Sequence, residues 1–261
     1  MQTLKTIAIC VLVAVIAWCG YQAVATQEGY SAEETLHQSV MRFKPQPPEN
    51  AAIPPGAIHT QALSEAAPDA PADYIDQRIL GMQAKYPHAV GWLTIPYTAI
   101  DYPFVQTADN DFYQRRDLDG KPAQAGTIYM DYRSARDFSD FNTVLYGHNR
   151  KNGTMFNSLK RYYDRAFFER HNIGELYLAD RACTVEFFAF MIIKYDDHMI
   201  YNLPRGADTA NIFMEYVQKN ARHYRELNIT HNDHIITLST CAFDFANARM
   251  VLIGRLILTT D

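Results

Sequence analysis

Thirteen consecutive apolar residues, IAICVLVAVIAWC at 7–19, constrain this chain more than any other feature. Gly20, Tyr21, Ala23, Val24 and Ala25 extend the run, with only Gln22 interrupting it. About 20 residues at ~1.5 Å each span ~30 Å, the hydrocarbon thickness of a bilayer. Lys5 precedes the run, and Glu28, Glu33 and Glu34 follow it. The positive-inside rule then predicts a membrane-spanning helix with a cytoplasmic amino end and an exported remainder. A cleaved signal peptide is the alternative, because Ala23-Val24-Ala25 is an A-x-A site behind a short apolar core. Both readings put the body of the protein outside the cytoplasm.

Export sharpens the cysteine count. Of four cysteines, Cys10 and Cys19 lie within the apolar run, which leaves Cys183 and Cys241. No pair forms CxxC, so zinc fingers and thioredoxin-like motifs are disfavoured. An exported pair is a disulfide, two buried thiols, or one structural and one reactive thiol. Net charge is −5, whereas a general phosphate-backbone binder carries a basic excess. Nucleic acid is therefore excluded as an expected partner.

Composition changes again after the apolar run. Seven of the twelve prolines fall at 45–71 with little apolar periodicity, as expected of a semi-extended linker. The chain divides into an anchor or signal at 1–27, a Pro-rich linker at 28–72 and a folded domain at 73–261. Asp73 is the expected cap of a short helix whose apolar positions are Tyr74, Ile75, Ile79, Leu80 and Met82, ended by Pro87. Strands are expected at 90–95, 99–105, 126–130, 142–147, 174–179, 184–195, 233–241 and 248–259. Helices are expected at 154–163 and 208–224, the second capped by Asp208 and buried through Ile212, Phe213, Tyr216 and Val217. Eight short strands with Gly, Pro and Asp breaks predict a mainly β barrel or sandwich with a few peripheral helices. The connection at 196–232 is long for a compact β domain, and long connections are often functional.

The segment IITLSTC ends an apolar, β-branched strand at Cys241. A thiol there sits at the rim of a sheet. If the last two strands form an antiparallel hairpin, paired positions sum to about 490, which sets Arg249 opposite Cys241. Arg255 shares the facing parity but lies six residues on, ~20 Å at ~3.4 Å per residue, near Ile235. An arginine assisting Cys241 is therefore Arg249. Upstream, LYGHN at 145–149 carries a strand into a Gly-His turn, a place where His148 can serve a site. Cys183 precedes TVEFFAFMIIKY without a nearby His or Arg pattern and reads as structural.

TLSTC at 237–241, Arg249 eight residues later and an upstream GHN together resemble the sortase family of cysteine transpeptidases. The TLSTC form, Asp109-Asn110 in VQTADNDFYQ, YGHNRKNGTMFNSLKRY at 146–162 and the helix-containing insertion before TLSTC are similar to class B sortases. The segment DDHMIYNLPRGADT matches no placed motif. The resemblance implies a closed sortase-type barrel of about eight strands behind a membrane anchor. It implies that Cys241 attacks the threonine carbonyl of a carboxy-terminal, NPxT-type sorting signal on a secreted protein. A thioacyl enzyme forms, and an amine of a cell-wall precursor, or a pilin lysine, takes the acyl group. His148 serves as acid and base, and Arg249 as substrate and oxyanion ligand. Ser239 and Thr240 line the peptide groove, and Asn110 and Tyr201 contact the peptide. No aspartate is a third catalytic member; Asp244 reads as a loop cap. A Cys183–Cys241 disulfide is expected to be absent, since it would silence the nucleophile.

No cofactor or metal is expected. His231, Asp233 and His234 form HNDH, but a site needs three or four convergent ligands and this spacing supplies no tetrahedral set. A papain-like hydrolase is disfavoured, because its nucleophile starts a helix upstream of the histidine, whereas Cys241 ends a strand after His148. The non-enzymatic alternative is an anchored β module for surface assembly; within the family, a pilus polymerase is the rival to a wall-anchoring enzyme.

Overall fold

The computed structural model describes residues 2–46, 75–203, 206 and 208–258. Asp73, Tyr74 and most of the Pro-rich stretch lie outside the described residues. The chain divides into two compact units, Met1–Arg42 and Phe43–Asp261.

The first unit is the helix α1, Gln2–Val40. Val11, Leu12, Val13, Val15, Ile16 and Trp18 are all exposed on it. A helix apolar all round has no polar face to give to water, and lipid satisfies it. It is the one helix among the described residues long and apolar enough to cross a membrane. It continues beyond the expected anchor through the polar stretch, where Gln38 bonds Glu34 one turn back.

The second unit begins upstream of Asp73. Lys44 pairs with Asp101 at 2.5 Å, and Asp101 also accepts from Trp92 Nε1 at 2.8 Å and Thr94 Oγ1 at 2.9 Å. Helix α2, Gln77–Lys85, follows with Asp76 as its N-cap, bonding the amides of Arg78 and Ile79. Ile79 and Met82 are buried, whereas Ile75 and Leu80 are exposed. The helix stops at Tyr86, before Pro87, because a residue preceding proline is driven out of the helical region.

Nine strands follow: β1 Ala89–Thr94, β2 Asp101–Val105, β3 Ile128–Met130, β4 Asn142–Tyr146, β5 Ile173–Tyr177, β6 Ala182–Lys194, β7 His223–Tyr224, β8 His234–Cys241 and β9 Ala248–Leu258. Their order is β5-β1-β2-β3-β4-β8-β9-β6-β7, and β5–β6 pairing closes eight of them into a barrel. The β2–β3 and β4–β8 pairs are parallel; the other pairs are antiparallel. Strand β3 starts two residues later than its sequence suggests, because Gly126 has φ +59, outside the strand region. The expected helix at 154–163 is a 3-10 helix, Phe156–Tyr163, and a further helix α3, Arg165–Arg170, follows with Asp164 as its cap.

The barrel interior holds Leu93, Phe104, Ile128, Leu145, Phe187, Phe190, Ile236, Leu238 and Leu252, plugged at one end by Phe156 and Leu159. A second apolar layer lies outside the wall. There Phe213 and Val217 of α5, Thr209–Asn220, cover Phe188, Met191, Ile235, Val251 and Ile253. Two covered faces explain why FFAFMII in β6 runs apolar without alternation. Asp208 stands at the N-cap position of α5 but makes no side-chain cap bond. The helix ends at Asn220 because His223 and Tyr224 leave it to pair with Phe190 and Ala189.

Candidate active site

Three chain segments meet at one rim because β4 and β8 run parallel. Their registers align Asn142 with Ile235 and Tyr146 with Ser239. The ladder continues as the Gly147 amide bonds the Ser239 carbonyl at 3.1 Å. Two residues past Tyr146 and two past Ser239 are His148 and Cys241, which this register leaves side by side. The antiparallel β8–β9 hairpin sets Cys241 directly opposite Arg249 and Ile235 opposite Arg255, as the sum of about 490 requires. Residues directly opposed in a sheet share a face. Cys241 and Arg249 therefore project from the outer wall, on the parity of Ser239 and Val251. Arg255 lies at the far end of the strand and bonds Glu186 at 2.7 Å.

Each member is held by backbone geometry. His148 Nε2 lies 2.6 Å from the Gln114 carbonyl. A carbonyl only accepts, so Nε2 carries the proton and Nδ1 is the nitrogen free to exchange one. Gly126 makes this support possible. A Cβ there would sit 2.5 Å from the Gln114 carbonyl oxygen and 2.6 Å from that of Tyr113. Gly147 permits a second close approach, since its Cβ would meet the Phe156 ring at 2.7 Å. Asn149 clamps the backbone of Cys241. Its Nδ2 donates to the Cys241 carbonyl at 2.8 Å, and its Oδ1 accepts from Asn157 Nδ2 at 2.7 Å. Asp244, expected as a loop cap, accepts instead from the Tyr163 hydroxyl, which ties the β8–β9 loop to the 3-10 helix. Phe243 in that loop is 85% exposed.

Cys183 and Cys241 are both free thiols. Cys241 is half-buried; Cys183 is buried, and burial pushes its thiol up to about 11. An electroneutral, inert thiol results.

The expected substrate ligands differ in placement. Tyr201, ending the short helix α4, His198–Tyr201, bonds Ser239 Oγ through its hydroxyl at 2.8 Å. Burial pushes the Tyr201 phenol up to about 12, against the opposing pull of that hydrogen bond and of Arg249. Tyr129 is raised by burial and by Asp111, and Arg249 again opposes. Arg249 and Cys241 thus share one electrostatic neighbourhood with both phenols. Asn110 donates to Asp131 at 3.2 Å and accepts from the Tyr132 amide at 3.0 Å. Ser239, expected to line the groove, is 1% exposed with its Oγ engaged by Tyr201. Thr240 departs from expectation as well. It is 3% exposed, its hydroxyl has no hydrogen-bond partner, and strand alternation turns it into the barrel, away from the face of Cys241. Tyr129, Tyr146, Asn149 and Asp131 were not singled out by sequence. Tyr146 and Asn149 flank His148 in the YGHN motif; Asp131 carries no local signal.

Among the described residues, no group of three or more His, Cys, Asp or Glu is placed to hold a metal. Asp233 instead caps the Thr230 amide at 2.7 Å, and His234 faces the Asp140 carbonyl at 3.1 Å.

The sortase domain family matches residues 93–257. Sortase B of Listeria monocytogenes is 37% identical over 171 residues, 64% of this chain and 69% of that protein. A Bacillus anthracis protein described as similar to sortase B superposes with TM-score 0.71 and 27% identity, over 88% of this chain and 98% of that one. A Staphylococcus aureus sortase B–substrate complex superposes with TM-score 0.66 and 25% identity, over 72% and 88%. The matched span runs from the first strand of the barrel to the last and takes in His148, Cys241 and Arg249. This chain belongs to the sortase family of cysteine transpeptidases and is most similar to its class B members.

Proposed function

We propose that this chain is a membrane-anchored transpeptidase that cleaves an NPxT-like carboxy-terminal sorting signal after its threonine and joins the protein to an amine of the cell wall. The observation that supports this reading is the shared rim: the parallel β4–β8 register ends at Tyr146 and Ser239, two residues before His148 and Cys241, and the β8–β9 register pairs Cys241 with Arg249. Cys241 Sγ gives its proton to His148 Nδ1 and attacks the threonine carbonyl carbon, and the carbonyl electrons move onto oxygen. Arg249 offers fixed donors to that oxyanion. The tetrahedral centre collapses, the carbon–nitrogen bond breaks, and His148 Nδ1 supplies the proton the departing amine needs. A thioester remains. The incoming amine attacks it, His148 takes a proton, and sulfur leaves. Tyr201 and Asn110 hold the peptide on the outer face of the wall; the buried Ser239 acts through its bond to Tyr201, and Thr240 acts through packing. The apolar α1 keeps the enzyme on the membrane, with its amino end cytoplasmic and the barrel outside.

The test uses the full chain in detergent micelles and a quenched-fluorophore library of Asn-Pro-Xaa-Thr peptides, with mass spectrometry of products. Cleavage after threonine is expected, with a hydroxamate forming when hydroxylamine replaces the amine. Cleavage that persists in Cys241→Ala overturns the mechanism.

A further inference from the structure

We propose that Asp131 is a positioning residue, whose buried carboxylate locks Asn110, Tyr146 and, through Arg133, the Tyr201–Asn202 turn into one wall of the peptide groove. This rests on the function proposed above and adds a part to it that no sequence motif marks.

Asp131 directly follows β3 and stays in the sheet by donating its amide to the Val144 carbonyl at 2.9 Å. It is 2% exposed. A carboxylate only accepts, so it can gather donors from several elements at once. Oδ1 accepts from the Arg133 amide at 2.9 Å and Arg133 Nε at 2.8 Å. Oδ2 accepts from Arg133 Nη2 at 2.7 Å, the Tyr146 hydroxyl at 2.9 Å and Asn110 Nδ2 at 3.2 Å. Burial pushes the carboxyl up, but the bonds from Arg133 and Tyr146 outweigh it and hold the group below its ordinary range. Asp131 is thus an anion at neutral pH.

The bonds from Tyr146 and Arg133 lead towards Cys241. Tyr146 is two residues from His148, and its ring stacks on Tyr201 at 6.0 Å. Tyr201 in turn bonds Ser239, two residues from Cys241. The Arg133 Nη1 donates to Asn202 Oδ1, beside Tyr201. A cavity of about 310 Å³, lined by Asp131, Arg133, Asn142, Tyr201, Asn202 and Leu203, lies alongside this turn. Ile200 is buried and its carbonyl accepts from Asn142 Nδ2 at 3.1 Å, which ties the start of the turn, and the Asp131–Arg133–Asn202 relay adds a restraint at its exposed end. The relay touches no reacting atom, so its loss falls on peptide binding rather than on the chemical step.

Asp131→Asn keeps the shape but turns one acceptor into a donor, which then faces Arg133, Tyr146 or Asn110. The experiment measures kcat and KM of the full chain in detergent micelles with the Asn-Pro-Xaa-Thr peptide that the wild type cleaves fastest. KM is expected to rise about tenfold, the size of one unmet buried hydrogen bond, with kcat within about threefold. The rate at which iodoacetamide alkylates Cys241 is expected to stay unchanged. Asn202→Ala, on an exposed turn, is expected to raise KM in the same direction by less, and less than multiplicatively when combined with Asp131→Asn. It keeps the test alive if Asp131→Asn fails to fold. An unchanged KM in the variants that fold, or a loss confined to kcat, overturns the inference while leaving the proposed function standing. A wild type that cleaves no library peptide overturns both.

Discussion

Two arginines on one face of β9 separate the site from the scaffold. Arg249 opposes Cys241, and Arg255 opposes Ile235, six residues or ~20 Å further along the strand at ~3.4 Å per residue. Arg255 Nη2 bonds Glu186 Oε2 at 2.7 Å, with side chains only 16% and 5% exposed. Arg255→Ala strands a buried carboxylate, which costs about 3–5 kcal/mol. For a domain of this size that lowers Tm by roughly 6–20 °C, at about 2–4 °C per kcal/mol. Glu186→Gln in the same chain recovers part of the loss, because it removes the unpaired charge. Arg249 makes a backbone bond to the Ala248 carbonyl and is half-exposed, so Arg249→Ala changes Tm little. It also removes the proposed oxyanion donor, and the expected loss is about 10²–10³ in turnover. Peptide cleavage by the folded fraction, measured well below Tm beside thermal unfolding of the same samples, separates the two. The expected result is a crossed pattern: Arg249→Ala stable and nearly inactive, Arg255→Ala unstable and active per folded molecule. Comparable activity losses in both variants would refute the register argument.

Further outcomes follow from the same geometry. Asn149→Ala leaves the Cys241 carbonyl and the Asn157 amide without their partner; it is expected to cost about 1–3 kcal/mol in thermal unfolding and to slow cleavage measurably, and unchanged values for both would show that the clamp does not matter. Gly147→Ala drives a Cβ to within 2.7 Å of the Phe156 ring, so it is expected to cost about 1–3 kcal/mol and to reduce cleavage by shifting His148; wild-type activity in the variant counts against that support. Iodoacetamide at pH 8 is expected to label Cys241 and spare Cys183 until denaturant is added, read by peptide mapping; native labelling of both thiols contradicts the burial assignment. Because burial raises the folded Cys183 thiol to about 11, above an unfolded value of about 8.5, the stability that this proton provides is whole below that value. It is lost as pH rises towards 11. Cys183→Ala should flatten the alkaline loss of stability, and an unaltered slope speaks against the assignment.

What the sequence revealed depended on how local the physics was. The β8–β9 register was legible because a hairpin fixes partners by arithmetic, and Cys241 faces Arg249 as the arithmetic requires. The eight barrel strands are legible through β-branched and apolar runs between breakers. Helix detail was less so. The cap of α2 is Asp76, three residues from the expected Asp73, because several aspartates precede the same apolar pattern and only packing selects one. Strand β7 was hidden inside an expected helix, since two residues carry no periodicity and β6 alone recruits them. Thr240 was grouped with Ser239 by adjacency, although neighbours on a strand face opposite sides. Asp131 was invisible for a different reason. Its partners Asn110, Arg133 and Tyr146 come from three segments, and no spacing rule connects them.

The placement of the histidine rests on strand direction. An antiparallel β4 would end at the opposite rim from β8, and His148 would then lie a full strand length from the thiol. Parallel pairing needs a long crossover, and this chain spends residues 147–233 on it. That crossover is not idle length. It carries the Phe156 plug, β5 and β6 that close the barrel, and α4, whose Tyr201 reaches Ser239. One topological choice thereby sets the proposed acid–base group, nucleophile and peptide-facing turn on the same outer wall. Cys241 sits on a regular strand end, so its geometry is inherited from the sheet. The proposed substrate preference then falls to segments that match no motif, 196–203 above all. Changes that retune the peptide preference should therefore map to that connection and to the Asp131 relay that holds it, while β4, β8 and β9 tolerate little.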